Sequence, residues 1–496
     1  MNGLKITMHR LGKIELSGFR ISIAIALVAF SVLLASCSVP FLKAGPDHER
    51  PETVEVPISY ENLATDTTMS YDGTAWWHTF GDPGLDRLVE ETIAGNLDIR
   101  RATAVVREFS SYVTQSRADR LPSINLSGSY QRQYMPATSI PGMTSERESE
   151  SYNASAAAAF EIDLWGRLSR AEEAARATLL ASRENRRTIM HSMISETVSL
   201  YIQLSTSEKR IMLSEENISA AGKSLRIVRS RYERGIASIL ELKQAERTLA
   251  QAESTLPQLH QNLGTARQRL SVLVGRYPSS KTHSPATDDY RLDLSPVPPG
   301  LPSDLLEKRP DILAAEARLH SAAARVGVAK SNLFPRISLT GSYGYTSEEL
   351  SDLFTPDNIL WNLVAGVTQP LFNSGKLIAA KNVAWAQYEQ SAIDYAKTVL
   401  QAFAEVESTL LTRDRQIEKR EKILIFVNKA REVERIASAR YERGISGYLS
   451  VLDAMQARYQ AEENLLLVDL SILTNRVTLH RALAGRWPGI DDVNND

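Results

Sequence analysis

The 496-residue chain has one cysteine, Cys37, which excludes an intrachain disulfide framework and a zinc ribbon. Its eight histidines are scattered, with no HExxH or other clustered ligand spacing. No GxSxG, P-loop or dinucleotide fingerprint occurs, so no catalytic residue, cofactor or metal is assigned. Net charge is also lacking: 57 Lys+Arg against 59 Asp+Glu excludes a generally basic nucleic-acid binder. Only one stretch, at the N-terminus, is apolar enough to enter a bilayer as a helix, which excludes a polytopic helical membrane protein. What remains, 43% hydrophobic and 23% charged, is the composition of a folded chain.

The N-terminus reads as an address. Lys5, Arg10, Lys13 and Arg20 precede an apolar run from Ile21 to Ala35, too short for the ~20 residues of a spanning helix. Residues 1–36 therefore read as an export signal. Its core ends Leu34-Ala35-Ser36-Cys37, which resembles the bacterial lipoprotein box. That resemblance implies lipidation at Cys37 and a lipidated N-terminal tail over 37–84. Ser38, rather than aspartate, follows the cysteine; by the familiar sorting rule this points to the outer membrane.

The rest of the chain is a duplication. Arg231-Tyr232-Glu233-Arg234-Gly235-Ile236 recurs as Arg440-Tyr441-Glu442-Arg443-Gly444-Ile445, and sliding 231–253 onto 440–462 gives 11 identities in 23. Leu121 to Tyr130 echoes Phe334 to Tyr343, and Gly275-Arg276-Tyr277-Pro278 echoes Gly485-Arg486-Trp487-Pro488. The pairs keep their order, giving repeat 1 over 85–278 and repeat 2 over 301–488. A Pro- and Asp-rich linker, 279–300, separates them, and 489–496 form a C-terminal tail.

Each repeat opens with a helical stretch, about 85–119 and 302–331. Period-two alternation then predicts strands at about 121–132 and 152–165, and again at 334–345 and 361–371, joined by hairpin loops. Ile124, Leu126 and Tyr130 alternate with polar neighbours, as do Ile337, Leu339 and Tyr343. Half-buried strands of a soluble sandwich alternate in the same way, but helical runs of about 166–231 and 375–440 follow, and ~65 residues at 1.5 Å each reach ~100 Å. Leu204, Ile211, Ile218, Leu225 and Tyr232 fall on sevens beside a seam of small residues, a pattern for close lateral helix packing. Glycine after Arg-Tyr-Glu-Arg predicts a helix stop, and return helices are expected at 238–275 and 447–484. Pro257 should kink or interrupt the first of these.

The expected fold is mixed: long helices plus a transmembrane β-barrel. Four strands cannot close a barrel, and lipid does not tolerate an open edge, so several chains must share one. Two chains would give about eight strands and three about twelve; a polar alternate face favours the wider, water-filled option.

In order, Cys37, Gly45-Pro46-Asp47, Trp76-Trp77, Asp82-Pro83, Asn96-Leu97-Asp98, Phe160 to Leu168, both Arg-Tyr-x-x-Gly turns and Leu452-Asp453-Ala454 resemble the lipoprotein branch of the TolC family of outer-membrane efflux factors. The resemblance covers nearly all of the mature chain. It implies a homotrimer whose barrel sits in outer-membrane lipid and whose helices form a tunnel across the periplasm. It implies a periplasmic adaptor and an inner-membrane pump as partners, and drugs, metal ions or other small solutes as cargo. By position, Leu449 and Asp453 resemble the family's periplasmic gate, while Tyr232, Gly235, Tyr441 and Gly444 resemble its adaptor-facing tips. Ser450 and Gln456 stand where some relatives carry an aspartate and a basic residue, so a doubled acidic ring is not implied. A duct for secreted proteins would share this fold; a structural coiled-coil lipoprotein would share the heptads but not the duplicated strands.

Overall fold

The computed structural model describes residues 44–47, 49, 56–62, 75–136, 147–279 and 294–483. Cys37, the signal segment and the C-terminal tail lie outside the described residues. The chain divides into two compact units. One contains the strands and the helix ends that flank them; the other contains the remaining helices.

The strand unit is one four-stranded antiparallel meander: β1 (Ser123–Met135), β2 (Arg147–Ile162), β3 (Arg336–Ser347) and β4 (Ile359–Thr368). β2 pairs with β3, so the sheet runs continuously from one repeat into the other. Register explains the alternation. Leu126 stands opposite Ala156, Ala156 opposite Tyr343, and Tyr343 opposite Trp361. Ile124, Ala158, Gly341 and Leu363 form the next row, and Phe160, Leu339 and Ala365 another. Directly opposed residues share a face, so these rows make one continuous apolar surface. The other face carries small and polar rows, such as Asn125, Ala157, Ser342 and Asn362. Gly344 permits close pairing, because a Cβ there would lie 2.5 Å from that of Ser155.

The first hairpin is longer than alternation indicates. β1 and β2 extend into the segment expected as loop, and Arg132 Nε pairs with Glu148 Oε1 at 2.7 Å there. Backbone pairing carries the ladder past the end of the regular alternation, and the exposed Arg132–Glu148 pair adds little to it. β4 stops at Thr368, two residues before Pro370, which cannot donate to a ladder.

The helical unit holds α1 (Pro83–Gly95), α2 (Leu97–Ala118), α3 (Arg167–Glu233), α4 (Ile239–Leu273), α5 (Pro302–Lys308), α6 (Pro310–Ser331), α7 (Lys376–Glu442) and α8 (Leu449–Ala482), apart from the helix ends assigned to the strand unit. α3 and α7 are both 67 residues long. The opening helical stretch is two helices, not one. Asp82 starts α1 by accepting from Gly84 N at 2.7 Å, and its other oxygen accepts from the Tyr201 hydroxyl at 2.6 Å. Asn96 breaks the stretch: Oδ1 accepts from Asp98 N and Ile99 N, and Nδ2 donates to Leu273 O at 2.8 Å. Pro257 does not interrupt α4, which is continuous through it. The helical donor that proline lacks would have served the carbonyl of Glu253, an exposed residue whose oxygen water can reach.

One core gathers Trp76, Trp77, Leu85, Val89, Val198 and Leu270. A second surrounds Ile312, Leu319, Val399 and Val406, and a third joins Val228 and Leu242 to Tyr448, Leu452 and Met455.

Candidate functional site

α3 and α7 end in the same way. Gly235 N donates to Tyr232 O at 2.8 Å and Ile236 N to Arg231 O at 2.9 Å. Gly444 N donates to Tyr441 O, and Ile445 N to Arg440 O, both at 2.9 Å. These paired bonds form a Schellman stop, which needs a left-handed residue; both glycines have φ 73°. Gly235 and Gly444 thus end their helices by backbone geometry, and each turn leads into a return helix.

The turns meet through side chains. Arg231 Nη1 donates to Tyr441 O at 3.0 Å and Glu442 O at 3.2 Å, and the guanidinium lies 4.7 Å from the Tyr441 ring centre. Arg231 therefore serves carbonyls at the end of α7 and stacks on its last-turn aromatic. The Tyr441 and Tyr448 rings lie 5.3 Å apart, and Tyr448 Oη lies 2.9 Å from Ser224 Oγ. Burial pushes both phenol pKa values up, with the Glu241 carboxylate adding to the shift at Tyr441, so both remain neutral at physiological pH.

The helix starts differ. Ser238 and Glu241 form a reciprocal capping box at α4. Tyr448, at the start of α8, provides no side-chain cap. Glu241 reaches both starts: Oε2 accepts from Ser238 N at 3.0 Å and Oε1 from Tyr448 N at 3.3 Å.

Leu449 and Asp453 lie one helical turn apart on the exposed face of α8, with Ser450 and Gln456 beside them. Leu449 is 66% exposed, whereas neighbouring Val451, Leu452 and Met455 are buried. Tyr232 is exposed and Tyr441 buried, so the two turns present different surfaces. Arg231, Ser224, Glu241 and Tyr448 form contacts that sequence reading had not singled out. The available signal was a change between repeats: Tyr448 stands where repeat 1 has Ile239, and Gly447 where it has Ser238.

Among the described residues no His/Cys/Asp/Glu group is arranged to hold a metal, and no helix is long and apolar enough to cross a membrane. The latter says nothing of the sheet.

The outer membrane efflux protein family matches residues 88–276 and 301–485. The chain is 31% identical over 474 residues to the probable efflux pump outer membrane protein TtgC of Pseudomonas putida, covering 94% of this chain and 95% of that one. It is 29% identical to the probable outer membrane lipoprotein SilC of Salmonella typhimurium, covering 92% and 99%. The solved outer-membrane channel OprN superposes with TM-score 0.83 at 28% identity, over 90% of this chain and 99% of that one. A duplicated helical chain with a continuous apolar sheet face, matched along both repeats, thus belongs to the outer membrane efflux protein family and serves as an exit duct for efflux.

Proposed function

We propose that three copies of this chain assemble into one outer-membrane channel, the exit duct of a tripartite system with a periplasmic adaptor and an inner-membrane pump. The observation carrying this reading is the four-stranded sheet with one apolar face, whose edge strands β1 and β4 have no further partner strand among the described residues. Lipid does not tolerate open edges, so β4 of one copy pairs with β1 of the next. Twelve strands close around a water-filled lumen, with the apolar rows toward lipid and the polar rows inward. The outer surface of α7, where Ile393, Leu400, Ile425 and Val433 are exposed, supplies apolar contact between copies. Drugs or other small solutes are the proposed cargo, as the names of curated efflux relatives suggest. Cys37 carries the lipid anchor.

Leu449 and Asp453 of three copies form the periplasmic gate. Their support is joint exposure beside a packed helix start, together with the family resemblance. Three carboxylates around an axis attract cations and repel one another; three leucines narrow the passage. The two turns, at Tyr232 to Gly235 and Tyr441 to Gly444, face the adaptor.

The assembly is tested by light scattering in mild detergent with detergent mass subtracted: the expected particle is a trimer, and a stable monomer overturns the barrel. The gate is tested in planar bilayers. Asp453→Ala should raise single-channel conductance and weaken cation preference, and added Leu449→Ala should raise conductance further. Wild-type conductance and selectivity in Asp453→Ala would leave that carboxylate as a solvated helix-face residue.

A further inference from the structure

The two turns share a backbone but not a charge. Residues 223–247 of repeat 1 contain seven basic and three acidic residues, whereas the equivalent 432–456 of repeat 2 contain three basic and four acidic ones. Two of the three acids of the first turn have local partners, and the third, Glu233, is exposed. Glu241 accepts from Ser238 N and Tyr448 N, and Glu246 pairs with Lys243 at 2.8 Å and Arg229 at 3.8 Å. Lys223, Arg226, Arg234 and Arg247 are exposed and pair with no carboxylate among the described residues. Among the described residues the Arg234 guanidinium meets only a carbonyl of its own helix, Ser230 O, at 3.0 Å.

Apolar exposure is shared at two aligned positions and divided at two: Ile445 and Leu449, equivalent to Ile236 and Leu240, are 60% and 66% exposed, so charge is the main difference between the turns. Ile236, Ile239 and Leu240 of the first turn are 59%, 53% and 64% exposed, and Tyr232 is exposed beside them. In the second turn, the residues equivalent to Tyr232 and Ile239 are Tyr441 and Tyr448, 5% and 1% exposed. A turn beyond a helix end is not covered by lateral packing of helices, so this apolar group is open to a partner, with Arg234 in the same turn and Arg226 and Arg247 about two helical turns away along the adjoining helices.

We infer that the first turn is a specificity surface for an acidic amphipathic helical segment of a partner protein, and that the second turn contributes little to that choice. The partner's apolar face covers Ile236, Ile239 and Leu240, while its flanking carboxylates meet Arg226, Arg234 and Arg247. Such complementarity steers encounter and rejects basic partners more than it adds raw affinity. This inference rests on the reading that the turns face a protein partner, and it names that partner's chemistry.

The test uses the full-length channel in detergent and two synthetic amphipathic helices with one leucine face, flanked either by glutamates or by lysines. The acidic peptide should bind at least ~10-fold more tightly than the basic one at low salt, with the difference collapsing near 0.5 M salt. Arg226→Glu with Arg234→Glu should abolish or reverse that preference, whereas Arg435→Glu with Arg443→Glu in the second turn should change it by less than ~2-fold. Equal binding of both peptides to wild type, or an equal effect from the second-turn pair, overturns the inference. Conductance and particle mass of the same preparations read the channel separately. A conducting trimer without peptide preference overturns the partner assignment alone; a preparation forming no conducting trimer overturns the channel reading and this inference with it.

Discussion

Both long helices end in Arg-Tyr-Glu-Arg-Gly-Ile and close with the same two backbone hydrogen bonds, yet one turn exposes its tyrosine and the other buries it. The difference comes from residues around the hexapeptide. Repeat 2 places Tyr448 where repeat 1 has Ile239, and that ring fills the space between Tyr441 and Ser224. Arg231 then crosses from the first turn to the second and stacks on Tyr441. The first turn stands on its own helix caps, while the two tyrosines of the second are held by groups lent by its twin. A duplicated sequence can therefore keep one backbone and divide its duties.

The largest expected effect follows from Tyr448. It is 1% exposed, whereas Ile239 at the equivalent position is 53% exposed. Truncating a buried aromatic costs about 3–5 kcal/mol through lost burial and a residual cavity. Tyr448→Ala should therefore lower amide-exchange protection across the start of α8 by that much, whereas Ile239→Ala should change protection by less than about 0.5 kcal/mol. Similar losses in both variants would break the distinction between the turns.

A second contrast lies at the far ends of the return helices. Counting back from Gly275-Arg276 and Gly485-Arg486, Leu270 and His480 are equivalent. Both are buried, and His480 stacks on Trp76 with ring centres 4.9 Å apart. Burial, aided by Arg476, pushes the His480 pKa down to about 3. Between that value and about 6.5 the unfolded state binds the extra proton and the folded state does not, so stability is lost as pH falls through this window. At pH 5 the loss is about 2 kcal/mol. Near pH 5, exchange protection around Trp76 should fall in the wild type and change less in His480→Leu. An acid profile identical in both proteins would remove the histidine from the explanation.

Backbone organisation was largely legible in the sequence because it rests on short-range rules. Gly235 and Gly444 signal helix stops through their freedom at positive φ, and the alternation around Ile124 and Ile337 marks sides of a strand before any pairing is known. Other features depend on groups distant in sequence. Asn96 divides a helical stretch by capping α2 and holding Leu273 O, 177 residues away. The far end of the first hairpin is held by backbone pairing between segments without regular alternation, such as Tyr134 opposite Glu148, which a period-two pattern cannot register. Pro257 reads locally as a breaker, but its helix continues because packing on the opposite face outweighs one lost hydrogen bond. At the candidate site, Leu449 and Asp453 are assigned by resemblance alone, whereas the Arg231 contact spans 210 residues and has no local signature.

The smallest expected effect would sharpen the idea that one turn supports the other. Glu241 accepts from Ser238 N within its own capping box and from Tyr448 N at the start of the other return helix. An ordinary helix cap contributes about 1 kcal/mol to its own helix. Glu241→Ala should therefore reduce exchange protection at the starts of both α4 and α8 by about 1 kcal/mol each. Glu241→Gln keeps the side-chain length and one acceptor oxygen but lacks the charge, and should retain protection at only one start. Ser238→Ala removes the hydroxyl that caps α4 but leaves the carboxylate, so it should affect α4 alone. The contrast between Ser238→Ala and Glu241→Ala distinguishes a private cap from a shared one. If both variants loosened only α4, Tyr448 N would draw no support from Glu241, and the turns would be coupled through Arg231 and the aromatic stack alone.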